Sequence, residues 1–140
     1  MAALNETSTD SAYVYGRLLA LLEDIQYQAQ GKLNNTIIDR FFSAATATPA
    51  PIITLLIRNA EKAHLPKIRR ARGNGAYVAL KDKIGHLNAL IASNPYRKSL
   101  DLEEQSRFLL GYYLQRADTR ARITSAQEKK KTSSEGENKE

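Results

Sequence analysis

Apolar residues recur every three or four positions along most of the chain, a spacing typical of amphipathic α-helices. No segment shows the strict alternation of apolar and polar residues that is typical of a half-buried strand. Helices are predicted over residues 11–29, 36–47, 51–64, 76–92 and 101–124. Because the connections between them are short, neighbouring helices are expected to pack roughly antiparallel. The pattern therefore predicts an all-α fold, a roughly five-helix antiparallel bundle.

One domain is predicted for residues 11–124, and a segment of different character lies on each side of it. Residues 1–10 are predicted to be a flexible N-terminus. Residues 125–140 are predicted to be a disordered charged tail, because the stretch EKKKTSSEGENKE has no apolar residue with which to build a core. With 140 residues, of which 42% are apolar, the chain can form one hydrophobic core but not two.

Local sequence features mark the ends of the predicted helices. Asp10 is the predicted N-cap of the first helix, and Gly31 is predicted to end it. Asp101 and Glu104 have the spacing of a capping box at the start of the last helix. Pro66 is predicted to interrupt the third helix, with only a short extension beyond it.

The apolar positions also predict which helix faces are buried. The third helix is apolar on most sides and is predicted to be the most buried element. The buried stripe of the fourth helix is predicted at Tyr77, Leu80, Ile84, Leu87 and Ile91. That of the last helix is predicted at Leu102, Leu109, Tyr113 and Ala117, with Phe108 and Tyr112 beside it. Gly85, in the fourth helix, is predicted to permit close helix packing.

Composition excludes several classes of site. The chain has no cysteine, which excludes disulfides, zinc–thiolate sites and cysteine nucleophiles. Its longest candidate stretch, from Ile52 to Ile57, is far shorter than the roughly 18 apolar residues that a membrane span needs. The N-terminal stretch has no basic region followed by an apolar one, so no signal peptide is predicted. We therefore expect a soluble, cytoplasmic protein that does not contact a membrane.

Residues able to carry out acid–base chemistry are sparse and scattered. The two histidines, His64 and His86, lie on different predicted helices and match no metal-binding pattern. The adjacent carboxylates Glu23 and Asp24, like the second such pair in the last helix, diverge from each other on a helix surface. We therefore expect no enzymatic activity, no cofactor, no metal ion and no small-molecule substrate.

Positive charge is concentrated in the middle of the chain. The formal net charge of +6 consists of −2 over residues 1–57, +8 over 58–98 and zero over 99–140. Such a concentration is typical of a polyanion-binding surface, whose phosphate contacts carry no sequence information. The predicted nucleic-acid-binding residues are Arg58, Lys62, Lys67, Arg69, Arg70, Arg72, Lys81 and Lys83. The competing interpretation of the same residues is an ordinary solvated face.

Three stretches resemble the C-terminal region of the large subunit of type I-C CRISPR Cascade. They are AYVYGRLLALLEDIQYQAQG (12–31), NTIIDRFFSAATATPAPIITLLIRNAEKAHLPKI (35–68) and RFLLGYYLQRAD (107–118). The join between the second and third helices and the GYY-x-QR ending occur together, in this order, in that family. Leu114 and Ser106 depart from it, since the family often has His and Gly there. The sequence begins with Met and does not include the large N-terminal part of that subunit, so the resemblance implies the type I-C small subunit as an expectation.

This resemblance implies a helical bundle that assembles, in two copies, along an RNA-guided complex and helps to hold the opened DNA. The partners that it implies are the backbone and large subunits of Cascade, a second copy of this chain, the guide RNA–target DNA complex and the displaced non-target DNA strand. A second hypothesis is a purely structural brace that bridges other subunits without contacting DNA. The positive charge would then meet acidic protein surfaces or guide RNA.

Overall fold

In a computed structural model of the chain, the described residues are 3–31, 37–92 and 99–137, with side chains described in all of these except 37–41 and 126–137. Every regular element within these ranges is helical, which confirms the all-α prediction. The helices are α1 (Ser11–Gln30), α2 (Ile37–Ala47), α3 (Pro49–Asn59), α4 (Leu65–Arg72), α5 (Asn74–Leu90) and α6 (Leu102–Glu137), with a π-helical turn at Ala60–His64 between α3 and α4. None of the described helices has both the length and the apolar character that a membrane span requires.

The centre of the fold is α1, which packs against every other described helix and most extensively against α6. All its residues from Ala12 to Leu22 are buried. The prediction that the third helix is the most buried element is therefore wrong, because a helix surrounded on all sides buries its whole circumference. In α3, by contrast, Leu55 is exposed to solvent although it is apolar.

Both ends of α1 form as the sequence predicts. The carboxylate of Asp10 accepts a hydrogen bond from the backbone amide of Tyr13 at 3.2 Å, which satisfies one of the free amides of the first turn. Gly31 ends the helix with φ +73°, a value that L-residues with a side chain rarely adopt, and its amide donates to the carbonyl of Tyr27. Residues 3–10, predicted to be flexible, lie against the bundle through Asn5, whose amide donates to the hydroxyl of Tyr13.

Pro66 does not interrupt the third helix as predicted, since α3 continues through the π-helical turn into α4. The wider turn brings the amide of Leu65 to the carbonyl of Ala60, five residues back. This local widening accommodates Pro66, which has no amide hydrogen and whose ring crowds the preceding turn. The apolar pattern of the third helix predicts that Ala63 faces inward, but the widened turn shifts the buried face, so Leu65 is buried and Ala63 is exposed.

The hairpin of α4 and α5 turns at one residue. The sequence of residues 72–75 predicts a turn over all four positions. The observed turn is shorter, because Gly73 has φ +97° and α5 begins immediately after it at Asn74. The predicted stripe of α5 is confirmed at Leu80, Ile84 and Leu87, which are all buried. The predicted close packing at Gly85 is wrong, because a side chain added there would meet open space.

The face that α6 presents to α1 differs from the prediction. Phe108 and Tyr112 are fully buried, whereas Leu102 and Tyr113, expected in the core, are 82% and 56% exposed. Gly16 and Gly111 have no side chains, so the backbones of α1 and α6 come into direct contact at these two residues. This contact turns the face of α6 that contains Phe108 and Tyr112 toward α1. Ala117, also expected inside, is exposed.

The capping box at the start of α6 is confirmed. The amide of Glu104 donates to Asp101 Oδ1 at 2.8 Å, and the amide of Asp101 donates to Glu104 Oε1 at 3.3 Å. The helix extends beyond Thr124, where its apolar pattern ends. The disorder predicted for residues 125–140 stays a prediction. The sequence also predicts Asn35 as the N-cap of the second helix and a helix end at 93–95, and both lie outside the described residues.

Candidate nucleic-acid interface

The eight predicted nucleic-acid-binding residues are all exposed to solvent. They occupy one continuous helical segment and the helix that folds back along it: Arg58 on α3, Lys62 in the π-helical turn, Lys67, Arg69, Arg70 and Arg72 on α4, and Lys81 and Lys83 on α5. In the part of the chain that the structure describes, no ion pair joins any of them to a carboxylate. Their charge is therefore available to an external anion.

Arg69 and Lys81 converge on the ring of Tyr77. The guanidinium carbon of Arg69 lies 5.4 Å from the ring centroid, and Lys81 Nζ lies 5.7 Å from it. Tyr77 and Lys81 are four residues apart on α5 and thus share a face, while Arg69 reaches the same ring from α4. Attraction to the ring face holds each cation. The arrangement places one positive group of α4 and one of α5 at the same aromatic ring.

Arg72 and Lys83 lie on another side of the hairpin, facing α1. The guanidinium of Arg72 donates a hydrogen bond to Gln28 Oε1. Burial raises the pKa of the nearby Asp24 carboxyl, and this effect is opposed by a 2.7 Å hydrogen bond from Gln28 and by the charges of Lys83 and Arg72. The two cations therefore belong to a mixed polar environment rather than to a purely positive surface.

Lys67 lies close to His64. Burial lowers the pKa of the His64 imidazole, and the charge of Lys67 lowers it further. The amide nitrogen of Gln30 lies 3.4 Å from His64 Nδ1. A half-buried imidazole of lowered pKa is neutral at pH 7, so His64 adds no positive charge to the basic residues around it.

The basic residues thus form subgroups and not one continuous face. Lys81 and Lys83 are two positions apart on a helix, so they point to opposite sides of α5. Lys81 joins Arg69 at Tyr77, and Lys83 joins Arg72 near α1. Among the described residues, Arg58 makes no hydrogen bond, ion pair or ring contact with either pair. Charge clustering in the sequence located these residues but did not separate the subgroups, because helix packing decides which sides meet.

A groove that the sequence did not predict lies between α5 and α6. In the described structure both helices pack against α1 but not against each other. The groove has a volume of about 660 Å³ and is lined partly by Arg17, Asp24, Arg72 and Lys83. It contains two members of the predicted basic set, and it joins them to residues of α1 and α6.

Arg17 is the charged residue that the sequence analysis missed, and it is only 5% exposed. Its Nε donates to Gln115 Oε1 at 2.9 Å, and its Nη1 lies 3.4 Å from the backbone carbonyl of Glu6. Burial lowers the pKa of the Arg17 guanidinium, but the group stays charged at neutral pH. Its position inside an apolar helix gave one sequence clue, since a charge within a buried stripe needs a partner.

At the end of the groove, α6 is tied to the N-terminal segment. Arg122 Nη2 donates to Glu6 Oε1 at 3.0 Å, and Arg122 Nε lies 2.9 Å from Asp118 Oδ2. Each pair is substantially exposed, so its contribution to stability is small. Both pairs share the single positive charge of Arg122, so together they leave a net charge of −1 at this end of the groove.

Comparison with known proteins agrees with the resemblance seen in the sequence. The family of CRISPR-associated proteins described as Cas_Csd1 matches residues 1–120, which is most of the chain. A search of curated proteins found no match. The match includes α1 to α5 and the part of α6 that packs on α1, so it spans the whole described core. The chain therefore belongs to the CRISPR-associated Cas_Csd1 family.

Proposed function

We propose that this chain is a non-catalytic small subunit of a type I-C Cascade complex, which stabilises the R-loop by sequence-independent phosphate contacts. The displaced non-target strand is the main ligand in this proposal. The observation that carries it is the set of exposed cations on α4 and α5 that form no ion pair with a carboxylate among the described residues, with Arg69 and Lys81 both at the ring of Tyr77. Membership of a CRISPR-associated family supports the assignment to an RNA-guided system.

The physical reason is that R-loop formation is nearly balanced in free energy. The RNA–DNA duplex that forms is about as stable as the DNA duplex that it replaces, so protein–backbone contacts tip the equilibrium. Each cation that binds a phosphate releases condensed counterions, which makes binding favourable at low salt. A rigid bundle with exposed groups of cations meets this need without an active site. Specificity then comes from guide pairing, and the small subunit adds affinity alone.

The same proposal includes the partners and the location. The chain would assemble with the backbone and large subunits and with a second copy of itself, in the cytoplasm. Its ligands would be the guide RNA–target DNA complex and the displaced strand, with no membrane, cofactor or small-molecule substrate. A nuclease assay on the isolated chain tests the non-catalytic part, and the expected result is no cleavage of single- or double-stranded DNA.

A second candidate function is a structural brace, and the exposed face of α6 favours it. Leu102, Leu110 and Tyr113 are 82%, 49% and 56% exposed, and they lie along one side of the helix. Exposed apolar patches of this kind often mark protein–protein contacts. In this alternative the chain bridges neighbouring subunits through α6, and its cations meet acidic protein surfaces or guide RNA.

The experiment that separates the two functions measures R-loop formation by the assembled complex. Arg69, Arg70 and Arg72 are changed together to Glu, and a single Arg70→Glu variant is compared with Arg120→Glu. Arg70 and Arg120 are both exposed, and the two single changes alter net charge equally. The proposal predicts that the triple variant assembles normally but weakens R-loop formation, and that Arg70→Glu has a larger effect than Arg120→Glu.

The results that contradict the proposal are equally specific. Unchanged R-loop affinity of the triple variant across a salt titration would exclude phosphate contacts by α4. Loss of assembly, with normal DNA binding by the remaining complex, would favour the brace. Equal effects of Arg70→Glu and Arg120→Glu would show that only net charge matters.

A further inference from the structure

The groove between α5 and α6 has a size and shape suited to a bound group. Its volume of about 660 Å³ lies within the range of roughly 300–1,000 Å³ that is typical of small-molecule sites. Leu21, Leu87 and Ile123 contribute apolar surface, and the ring of Tyr27 lines the same space. Tyr27 is 62% exposed, so its ring is accessible to a ligand. The groove therefore offers flat and apolar contacts as well as polar ones.

The charges that line the groove nearly cancel. Four cations, namely Arg17, Arg72, Lys83 and Arg122, line it together with four carboxylates, namely Glu6, Asp24, Asp82 and Asp118. Arg122 is already paired with Glu6 and Asp118. The interior is therefore unsuited to a bare polyanion, and it favours a neutral ligand with hydrogen-bond donors and acceptors. Amide groups of Gln28 and Gln115 add to this capacity.

Two of the lining cations belong to the predicted basic residues on the hairpin, in the subgroup that faces α1. Arg72 and Lys83 are exposed, and both lie near Asp24. A nucleotide has the matching parts, because its base is neutral, flat and rich in hydrogen-bonding atoms, while its phosphate is anionic. A base stacked within a duplex cannot enter such a groove, whereas an unpaired base can.

We propose that this groove binds one unstacked base of single-stranded nucleic acid, with Tyr27 as the stacking surface and with Arg72 and Lys83 contacting the adjacent phosphates. The inference rests on the proposed function and deepens it, since it gives the small subunit a reason to prefer a displaced single strand over a duplex. It assigns no sequence preference, because every base has a face on which an aromatic ring can stack.

The test compares strands with and without bases. The full chain is titrated with a fluorescent oligo(dT) 20-mer and with an abasic 20-mer that keeps the same phosphates. The unmodified chain is expected to bind oligo(dT) about tenfold more tightly, the effect of stacking one base. Tyr27→Ala is expected to remove this difference and to leave the affinity for the abasic strand unchanged. Tyr113→Ala is the matched control, because Tyr113 is similarly exposed but lies outside the groove.

Arg72→Ala provides the second variant, and it separates the base contact from the phosphate contact. This change is expected to lower the affinity for both strands equally. It should also reduce the slope of the log binding constant against log salt concentration by about 0.7, the value for one phosphate contact on a single strand. Tyr27→Ala is expected to leave this slope unchanged.

The outcomes distinguish the inference from the function on which it rests. Equal affinity of the unmodified chain for both strands, or equal effects of Tyr27→Ala and Tyr113→Ala, would overturn the groove as a base site. If the abasic strand still binds and binding falls when Arg69 and Arg70 are changed to Glu, the phosphate-binding function stands without the groove. If neither strand binds at any salt concentration, both the inference and the proposed function fail.

Discussion

Gly16 of α1 lies directly against the backbone of Phe108 in α6. A Cβ added at Gly16 would be 2.8 Å from the amide nitrogen of Tyr112 and closer still to the carbonyl oxygen of Phe108. On the other side of the contact, a Cβ at Gly111 would be 3.2 Å from Tyr13 Cα and closer to its carbonyl oxygen. Because the obstructing atoms are backbone atoms, they cannot rotate away. The two glycines therefore set the spacing of the largest helix interface in the described structure.

The first prediction concerns this interface. Gly16→Ala is expected to lower the free energy of unfolding by about 3 kcal/mol, since overpacking of a tight contact outweighs the better helix propensity of alanine. Gly85→Ala is the control, because Gly85 has open space around it and the same change there should be neutral or stabilising by up to about 1 kcal/mol. Urea denaturation of the two variants checks the difference, and equal stabilities would contradict the close contact.

The second prediction concerns Tyr112, which is only 1% exposed. Its hydroxyl donates to Glu23 Oε2 at 2.8 Å. Tyr112→Phe removes this bond and leaves the partner carboxylate without its donor, so a loss of about 1–2 kcal/mol is expected. Tyr113→Phe is the control, since Tyr113 is exposed and should change stability by less than about 0.5 kcal/mol. Thermal or chemical unfolding at pH 7 measures both, and equal effects would be contrary to the prediction.

The same tyrosine gives stability a pH dependence in the alkaline range. Burial, reinforced by the hydrogen bond to Glu23, raises the pKa of the Tyr112 hydroxyl above its ordinary value of 10.0. The folded chain therefore keeps this proton when the unfolded chain has lost it. The resulting stabilisation is fully present below pH 10 and is lost as pH rises toward the folded-state pKa. Between pH 9 and 11, stability should fall more steeply in the unmodified chain than in Tyr112→Phe, and parallel profiles would contradict the assignment.

A third prediction concerns Asp24 in the groove. Burial raises the pKa of its carboxyl above 3.8, which means that folding disfavours the charged form. The free-energy cost of burying the Asp24 carboxylate is absent below the pKa of the unfolded state and present above it. Asp24→Asn is therefore expected to be more stable than the unmodified chain at pH 7, with the difference shrinking as pH falls below 4. Denaturation curves at pH 7 and pH 3.5 test this, and a destabilised variant at pH 7 would show that Lys83 and Arg72 dominate instead.

Features set by neighbouring residues were predictable from the sequence. The caps at Asp10 and Asp101 depend on residues a few positions away, and the α5 stripe at Leu80, Ile84 and Leu87 depends on one helical period. The basic residues of the interface were equally visible, because charge clustering needs no tertiary information. Their exposure follows from the cost of burying unpaired charge.

Features decided by contacts between distant segments were not predictable in the same way. Two overlapping sides of α6 are apolar, and the contact of Gly16 with α6 selects the one that contains Phe108 and Tyr112. The groove arises because α5 and α6 pack on different sides of α1, and Arg17 finds Gln115 only in the folded chain. Helical periodicity specifies the faces of a helix but not its neighbours.

The central claim is that α4 contacts the displaced DNA strand, and crosslinking tests it most directly. A photoreactive amino acid is placed at Arg70, on the exposed side of α4, and at Arg120 on α6 as the control position, in the assembled complex with an open R-loop. The account predicts a crosslink from position 70 to the displaced strand, of similar yield for unrelated strand sequences, and a weaker one from position 120. Crosslinks from position 70 to protein subunits alone, with none to the displaced strand, would contradict it.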